Sequence, residues 1–317
     1  VFVSEFLLEI GTEELPADFA RLAVLQLEQI VLRDLNQCHL SHGKIWCSTT
    51  PRRIVLLVKD LADKAKDLEE ERKGPPAAQA FQDGLPTQAA LGFATRYGLE
   101  VEDLKVRETH KGPFVFGQIL ERGAPAIELL KELIPQWITS LQGQRFMRWG
   151  TGELRFPRPV RWLVAMLDDC LVSFCLEDSD PKVSTNNMTR GHRLHADLVP
   201  FSTVQEYFQR LQSVGVQVDR EKRKQLILSL VDDAATKLNA RPDFPEVLLD
   251  ELTDLVESPF IIDASFEEEF LDLPAEVLST VMRVHQRYIP LYLQESSVDI
   301  LALNARDILL NRFLFIS

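Results

Sequence analysis

Strands and helices follow one another in this sequence without the strand–helix–strand rhythm of a doubly wound parallel sheet. That irregularity constrains the fold more than any single motif, and it favours α+β. Residues 6–10 read as a buried strand, and residues 44–49 and 53–59 as two more. Between them, residues 17–37 carry Ala20, Val24, Leu27, Val31 and Leu35 on one helical stripe. An acidic run from Asp60 to Glu71 leads into the breaker cluster Arg72-Lys73-Gly74-Pro75-Pro76, where a first boundary is expected. A helix over 87–97 with Thr87 as cap, and a strand over 114–120, follow. Ile127, Leu130, Ile134, Trp137 and Leu141 keep helical spacing behind Pro125, a residue suited to a first helical position, and Pro135 is expected to kink or split that helix. The runs 160–167 and 171–176 predict a hairpin.

Further on, Ser202-Thr203-Val204-Gln205 fits a capping box, and Asp219 suits the cap of a helix reaching about Leu238. Helices over 245–256 and 275–284 and extended segments at 260–262 and 288–293 complete the pattern. The expectation is mixed or antiparallel sheets with packed helices in more than one domain. The divisions are an α+β region 1–71, an α+β region 72–198 holding the Arg-rich segment 145–161, and a helix-rich region 199–317 with short strands. The sequence ends inside an apolar run, Phe315-Ile316-Ser317, without a stop signal, so it is expected to be part of a longer chain.

No apolar run approaches the length that crosses a bilayer, and a cytoplasmic protein is expected. The four cysteines, at 38, 47, 170 and 175, form no CxxC pair and read as reduced thiols. Cys38, His39, His42 and Cys47 are zinc-ligand types, but their spacing fits no common finger, and no metal site is expected. The net charge of −13 argues against nucleic acid when taken alone. Charge is unevenly spread, however. Residues 145–161 hold five arginines and one acid, whereas residues 241–270 hold ten acids and one base. A basic face can exist on an acidic protein, and the local field decides where a polyanion docks.

Phosphate-cradling GxxxxGK[ST], the GxSxG elbow and HExxH are all missing. His192 and His195 are three apart but follow Gly191, where a helix is not expected. Instead, arginines recur among aromatics: Arg145-Phe146-Met147-Arg148-Trp149, Arg155-Phe156-Pro157-Arg158-Pro159-Val160-Arg161-Trp162, Arg190-Gly191-His192-Arg193 and Arg283-Val284-His285-Gln286-Arg287-Tyr288. Guanidinium forks match phosphate oxygens, and aromatic faces accept bases. Trp149 and Trp162 are more simply read as core, and any one arginine as an ion-pair residue.

The order of motifs carries a resemblance. EIGTEELP (9–16), TPRRIVLLV (50–58), RKGPPAAQAF (72–81), GLPTQAALGFA (84–94), FMRWG (146–150), RFPRPVRWL (155–163), RGHR (190–193) and HQRYIPLY (285–292) occur in the order seen in bacterial glycyl-tRNA synthetase β subunits. The chain resembles the N-terminal portion of that family over about residues 5–310. The resemblance implies a region of an α2β2 glycine–tRNA ligase, with the α subunit, tRNA-Gly and a second β subunit as partners. It also implies a likeness to the B3/B4-type modules of phenylalanyl-tRNA synthetase β subunits. The α subunit would form glycyl-adenylate, so ATP and Mg serve the complex and no cofactor is expected on this stretch, nor any catalytic residue. A structural scaffold docking the α subunit, or a cryptic editing module, are the alternatives. Charge and clustering nominate Arg52, Arg53, Arg148, Arg155, Arg158, Arg161, Arg190 and Arg193 to face tRNA.

EIGTEELP itself has a reading without chemistry. Gly11 permits a sharp exit from the strand, and Glu13 and Glu14 precede Pro16 at the positive end of a helix.

Overall fold

The computed structural model describes residues 3–194, 198–294 and 304–317. The chain opens with strand β1 (Val3–Thr12), helix α1 (Ala17–Gln37), and strands β2 (Ile45–Thr50) and β3 (Arg53–Ala62). Among the described residues, these strands belong to a seven-stranded sheet. Its order is Cys175–Leu176, Val183–Asn186, Val160–Leu167, β1, β3, β2, with Cys170–Leu171 added to Val160–Leu167. Pairing is antiparallel except between Val183–Asn186 and Val160–Leu167. The fold is α+β.

Both faces of this sheet are covered, which explains the near-continuous apolar runs in β1 and β3. Phe6, Leu8, Ile10, Ile54 and Leu56 pack under α1 and the helix Ala126–Ser140. Leu7, Val55, Leu57, Trp162 and Val164 pack on the opposite face against Val204, Tyr207 and Leu211 of the helix Val204–Ser213. The α1 stripe is slightly rotated from expectation: Phe19 and Ala23 are buried, whereas Val24 is half-buried. The helix Ala126–Ser140 runs through Pro135 unbroken, with Pro125 as its cap. Buried Leu130, Ile134, Trp137 and Ile138 hold it against the sheet and outweigh the missing N–H.

The Glu71/Arg72 boundary falls inside strand β4 (Leu68–Pro76), which pairs with Gly112–Glu121, itself paired with Lys105–Thr109. Sequence reading passed over β4 and Lys105–Thr109 because both are mostly exposed and lack an apolar alternation. This small sheet packs with the helix Gln88–Tyr97 through Ala90, Ala94, Leu104 and Val115. The chain then returns, and Val160–Leu167 pairs with β1 across its whole length.

The capping box lies one residue later than expected. Thr203 accepts from the Glu206 N–H, and the Glu206 carboxylate accepts from the Ser202 N–H. Asp219 caps Arg220–Lys237 by accepting from the N–H groups of Glu221 and Lys222. That helix and Glu246–Leu255 cover one face of a four-stranded sheet ordered Ala240–Pro242, Ile289–Leu293, Leu309–Ile316, Ile261–Ser265.

Candidate functional site

The sequence motifs converge at one end of the large sheet. Pro51-Arg52 forms the two-residue turn between β2 and β3. EIGTEELP is tied onto it: Thr12 N–H donates to Arg52 O at 2.8 Å, and Leu15 N–H to Pro51 O at 2.6 Å. Glu13 N–H donates to Pro159 O at 3.1 Å, which brings in the RFPRPVRW segment.

Beneath this corner lies a charged cluster sealed from water. Residues 7, 9 and 11 of β1 share a face, so Glu9 and Gly11 point where Leu7 points. Gly11 pairs with Arg53 on one side and Trp162 on the other. A Cβ on Gly11 would lie 1.9 Å from the Trp162 ring. Glycine is therefore required by the indole that folds over it, not by a chain reversal, since Gly11 lies within β1.

Arg53 is 0% exposed. Its Nη1 donates to Glu9 Oε1 at 3.1 Å and to Arg190 O at 3.0 Å, and its Nε donates to Glu257 Oε1 at 3.0 Å. Glu9 Oε1 also accepts from Trp162 Nε1 at 3.0 Å and Thr189 Oγ1 at 2.9 Å. Burial raises the Glu9 carboxyl above its ordinary range despite the Arg53 charge and these bonds. Burial also works to raise Glu257, but the Arg53 charge and bonds from Thr50 and Arg53 hold it below its ordinary value. Burial would lower the Arg53 value, yet the charges of Glu257 and Glu9 keep it raised and the guanidinium ionised.

Two clefts meet above this cluster, sharing Glu14, Arg52 and Arg193. The smaller, about 380 Å³, is lined by Glu13, Glu14, Arg52, Arg158 and Arg193. The larger, about 410 Å³, runs from Arg52 and Arg193 to Leu252, Arg287, Tyr288 and Phe315 of the C-terminal sheet region.

The eight nominated arginines divide clearly. Arg53 belongs to the sealed cluster and is shut away from solvent, its Nη1 and Nε engaged with Glu9, Arg190 O and Glu257. Arg52 is half-buried, with its guanidinium over the Trp162 ring at 5.6 Å; Arg190 covers the same ring at 5.1 Å. Arg158 lines the smaller cleft and donates to its neighbour's carbonyl, Pro157 O, at 2.7 Å. Arg161 and Arg193 are exposed but ion-paired, with Glu13 at 2.7 Å and with Glu14. Arg148 pairs with Glu153 at 2.6 Å, Arg155 is exposed, and neither lines either of these two clefts.

Glu13 and Glu14 thus engage arginines, and Pro16 rather than either acid caps α1. Trp162 is core, as expected, yet it also organises three guanidinium groups. The sequence alone does not mark Glu257. Glu9 had a signal, a lone charge inside the run Phe6-Leu7-Leu8-Glu9-Ile10. His192 lines the larger cleft, and His195 lies outside the described residues. The Cys38–Cys47 segment forms no metal cluster: among the described residues no group of three or more His, Cys, Asp or Glu is placed to hold an ion. Burial pushes the Cys47 thiol up to about 12. No described helix is long and apolar enough to cross a membrane.

Fold and clefts define an α+β scaffold with guanidinium groups gathered at one sheet end. Residues 6–317 match the glycyl-tRNA synthetase beta subunit family, and the chain belongs to it. It is 44% identical over 288 residues to the glycine–tRNA ligase beta subunit of Trichodesmium erythraeum, covering 90% of this chain and 40% of that protein. The Acaryochloris marina protein of the same name is 45% identical over 289 residues, 91% and 41% of the two chains. That of Moorella thermoacetica is 38% identical over 314 residues, 98% and 43%. The chain thus spans about two-fifths of the length of these curated relatives.

Proposed function

We propose that this stretch is a non-catalytic region of a tetrameric glycine–tRNA ligase that holds tRNA-Gly by its phosphate backbone and helps to assemble the complex. Arg52 and Arg158 at the smaller cleft supply the docking charge, with Arg193 beside them; this juxtaposition carries the reading. Guanidinium groups positioned by a rigid hairpin and aromatic stacking are suited to phosphate oxygens. Glycine activation with ATP and Mg takes place on the α subunit, in the cytoplasm, within an α2β2 assembly.

The test is salt-titrated binding of tRNA-Gly to the full-length β subunit with its α partner. Arg52→Ala/Arg158→Ala/Arg193→Ala is expected to weaken binding and to flatten the log–log salt slope by about 2, at roughly 0.7–0.9 per phosphate contact. An unchanged slope in a folded triple variant overturns the docking role. Retained assembly with the α subunit would then leave scaffolding as the function.

A further inference from the structure

The C-terminal sheet presents an aromatic surface that the phosphate-docking reading does not use. In the strand Leu309–Ile316, Leu314 and Ile316 face the buried core, so Phe313 and Phe315 face the other way. Phe313 stacks on Tyr288 with centroids 4.5 Å apart and planes at 16°. It also stacks on Phe266 at 6.5 Å and 20°, and Phe315 lies 5.6 Å from Tyr288. All four rings are half-exposed, and Phe260, one step beyond the adjacent strand, is 65% exposed. The far end of this face, at Tyr292, is covered by the helices Ala275–Thr280 and Ala305–Ile308. Its near end opens into the larger cleft, where Tyr288 and Phe315 stand with Arg52, Arg193 and Arg287.

Local backbone strain marks the junction. Residues Val281–Gln286 form a π-helical turn, and Arg287 follows with φ 57, in the left-handed region that a non-glycine residue rarely occupies. Such strain persists only where the surroundings over-determine it, and it concentrates at binding sites. Here it sets Gln286, Arg287 and Tyr288 on the cleft wall.

We infer that this aromatic face takes an unpaired stretch of RNA, bases on Tyr288, Phe313 and Phe315 and backbone on Arg52, Arg193 and Arg287. The inference rests on the tRNA-docking reading and extends it from paired backbone to free bases. Stacking needs no charge, which suits a face whose flanks are acidic: Glu267, Glu268 and Glu269 repel phosphate and leave the arginine side as the entry. Arg193 and Arg287 are held by exposed ion pairs, with Glu14 and with Glu251 at 2.6 Å, which phosphate oxygens can replace at little cost.

The experiment measures the full-length protein against two labelled RNAs, single-stranded octaadenylate and a fully paired hairpin. Tyr288→Leu/Phe315→Leu keeps apolar bulk but removes the flat faces. It is expected to weaken octaadenylate about tenfold and the hairpin less than twofold. Unchanged octaadenylate affinity in the folded variant overturns the platform while the docking reading stands on the hairpin. Binding of neither RNA by the wild type overturns both readings. Release of a protein partner by the variant, with RNA binding intact, also overturns the platform. Should the double variant not fold, Tyr288→Trp decides: its emission is expected to be quenched by octaadenylate and not by the hairpin, and no quenching counts against the inference.

Discussion

Arg53 and Glu257 are 204 residues apart in sequence, and Arg53 Nε donates to Glu257 Oε1 at 3.0 Å with both side chains shut away from solvent. The same glutamate accepts from Thr50 Oγ1 at 2.5 Å, and its backbone carbonyl accepts from Gln217 N–H at 2.9 Å. One residue therefore ties the β2–β3 hairpin to the chain that follows the helix Glu246–Leu255. Arg223 reinforces the join, donating to Thr49 O at 2.8 Å and Thr253 O at 2.9 Å.

Removing Glu257 leaves the buried Arg53 guanidinium with Glu9 as its carboxylate partner, and removing Arg53 leaves both buried carboxylates without their cation. Glu257→Ala is expected to cost about 3–5 kcal/mol in denaturant unfolding. Arg53→Met should cost a similar amount, and the double variant less than the sum. A loss below about 1 kcal/mol from either single change would show that the pair does not hold the two regions together.

Glu257 also makes stability depend on pH. Its folded value lies below the ordinary 4.5, so the folded state binds its proton less readily than the unfolded chain. Its contribution is present in full above about pH 4.5 and disappears as pH falls through the folded value. The stability gap between wild type and Glu257→Gln should therefore be flat near neutrality and narrow below pH 4.5. A gap that widens on acidification would contradict the assignment.

Gly11→Ala places a methyl against the Trp162 indole. Overpacking of this kind costs about 1–3 kcal/mol. Combining it with Trp162→Leu should cost less than the two losses added together, because the clash is then gone. Thermal unfolding of the three variants measures the coupling, and strict additivity would refute the contact.

Glu13 and Glu14 temper the charge of the cleft by pairing with Arg161 and Arg193. Exposed ion pairs contribute little to stability. Glu13→Gln/Glu14→Gln should thus fold as the wild type does, bind tRNA-Gly more tightly, and steepen the salt dependence by about 1 to 2, at roughly 0.7–0.9 per phosphate contact. Weaker binding would mean that the two pairs position the arginines rather than mask them.

Cys47 and Cys170 should differ towards iodoacetamide. Burial holds the Cys47 thiol at about 12 within β2, whereas Cys170 is exposed. Mass spectrometry of the native protein should find Cys170 alkylated first; early modification of Cys47 would place it outside the core.

Much was readable in the order of residues because the information was local. The α1 helix, the strands β2 and β3, the Thr87 and Asp219 caps and the buried strand at 6–10 follow from periodicity and cap chemistry within a few positions. The polar strand β4 was not readable, because only its partner Gly112–Glu121 makes it a strand. Nor was the division of the arginines. Arg52 and Arg53 are neighbours with the same side chain, yet Arg52 sits in the turn, half-buried at the cleft, whereas Arg53 opens β3 and is buried. The sequence alone determined the family, through many motifs in one order, and the α+β class, through its mixed periodicities. Only the tertiary structure decided that Glu9 and Glu257 neutralise Arg53 and that Gly11 exists for Trp162. It also decided that Arg52, Arg158 and Arg193 share a cleft, because contacts between distant strands are set by packing and not by spacing along the chain.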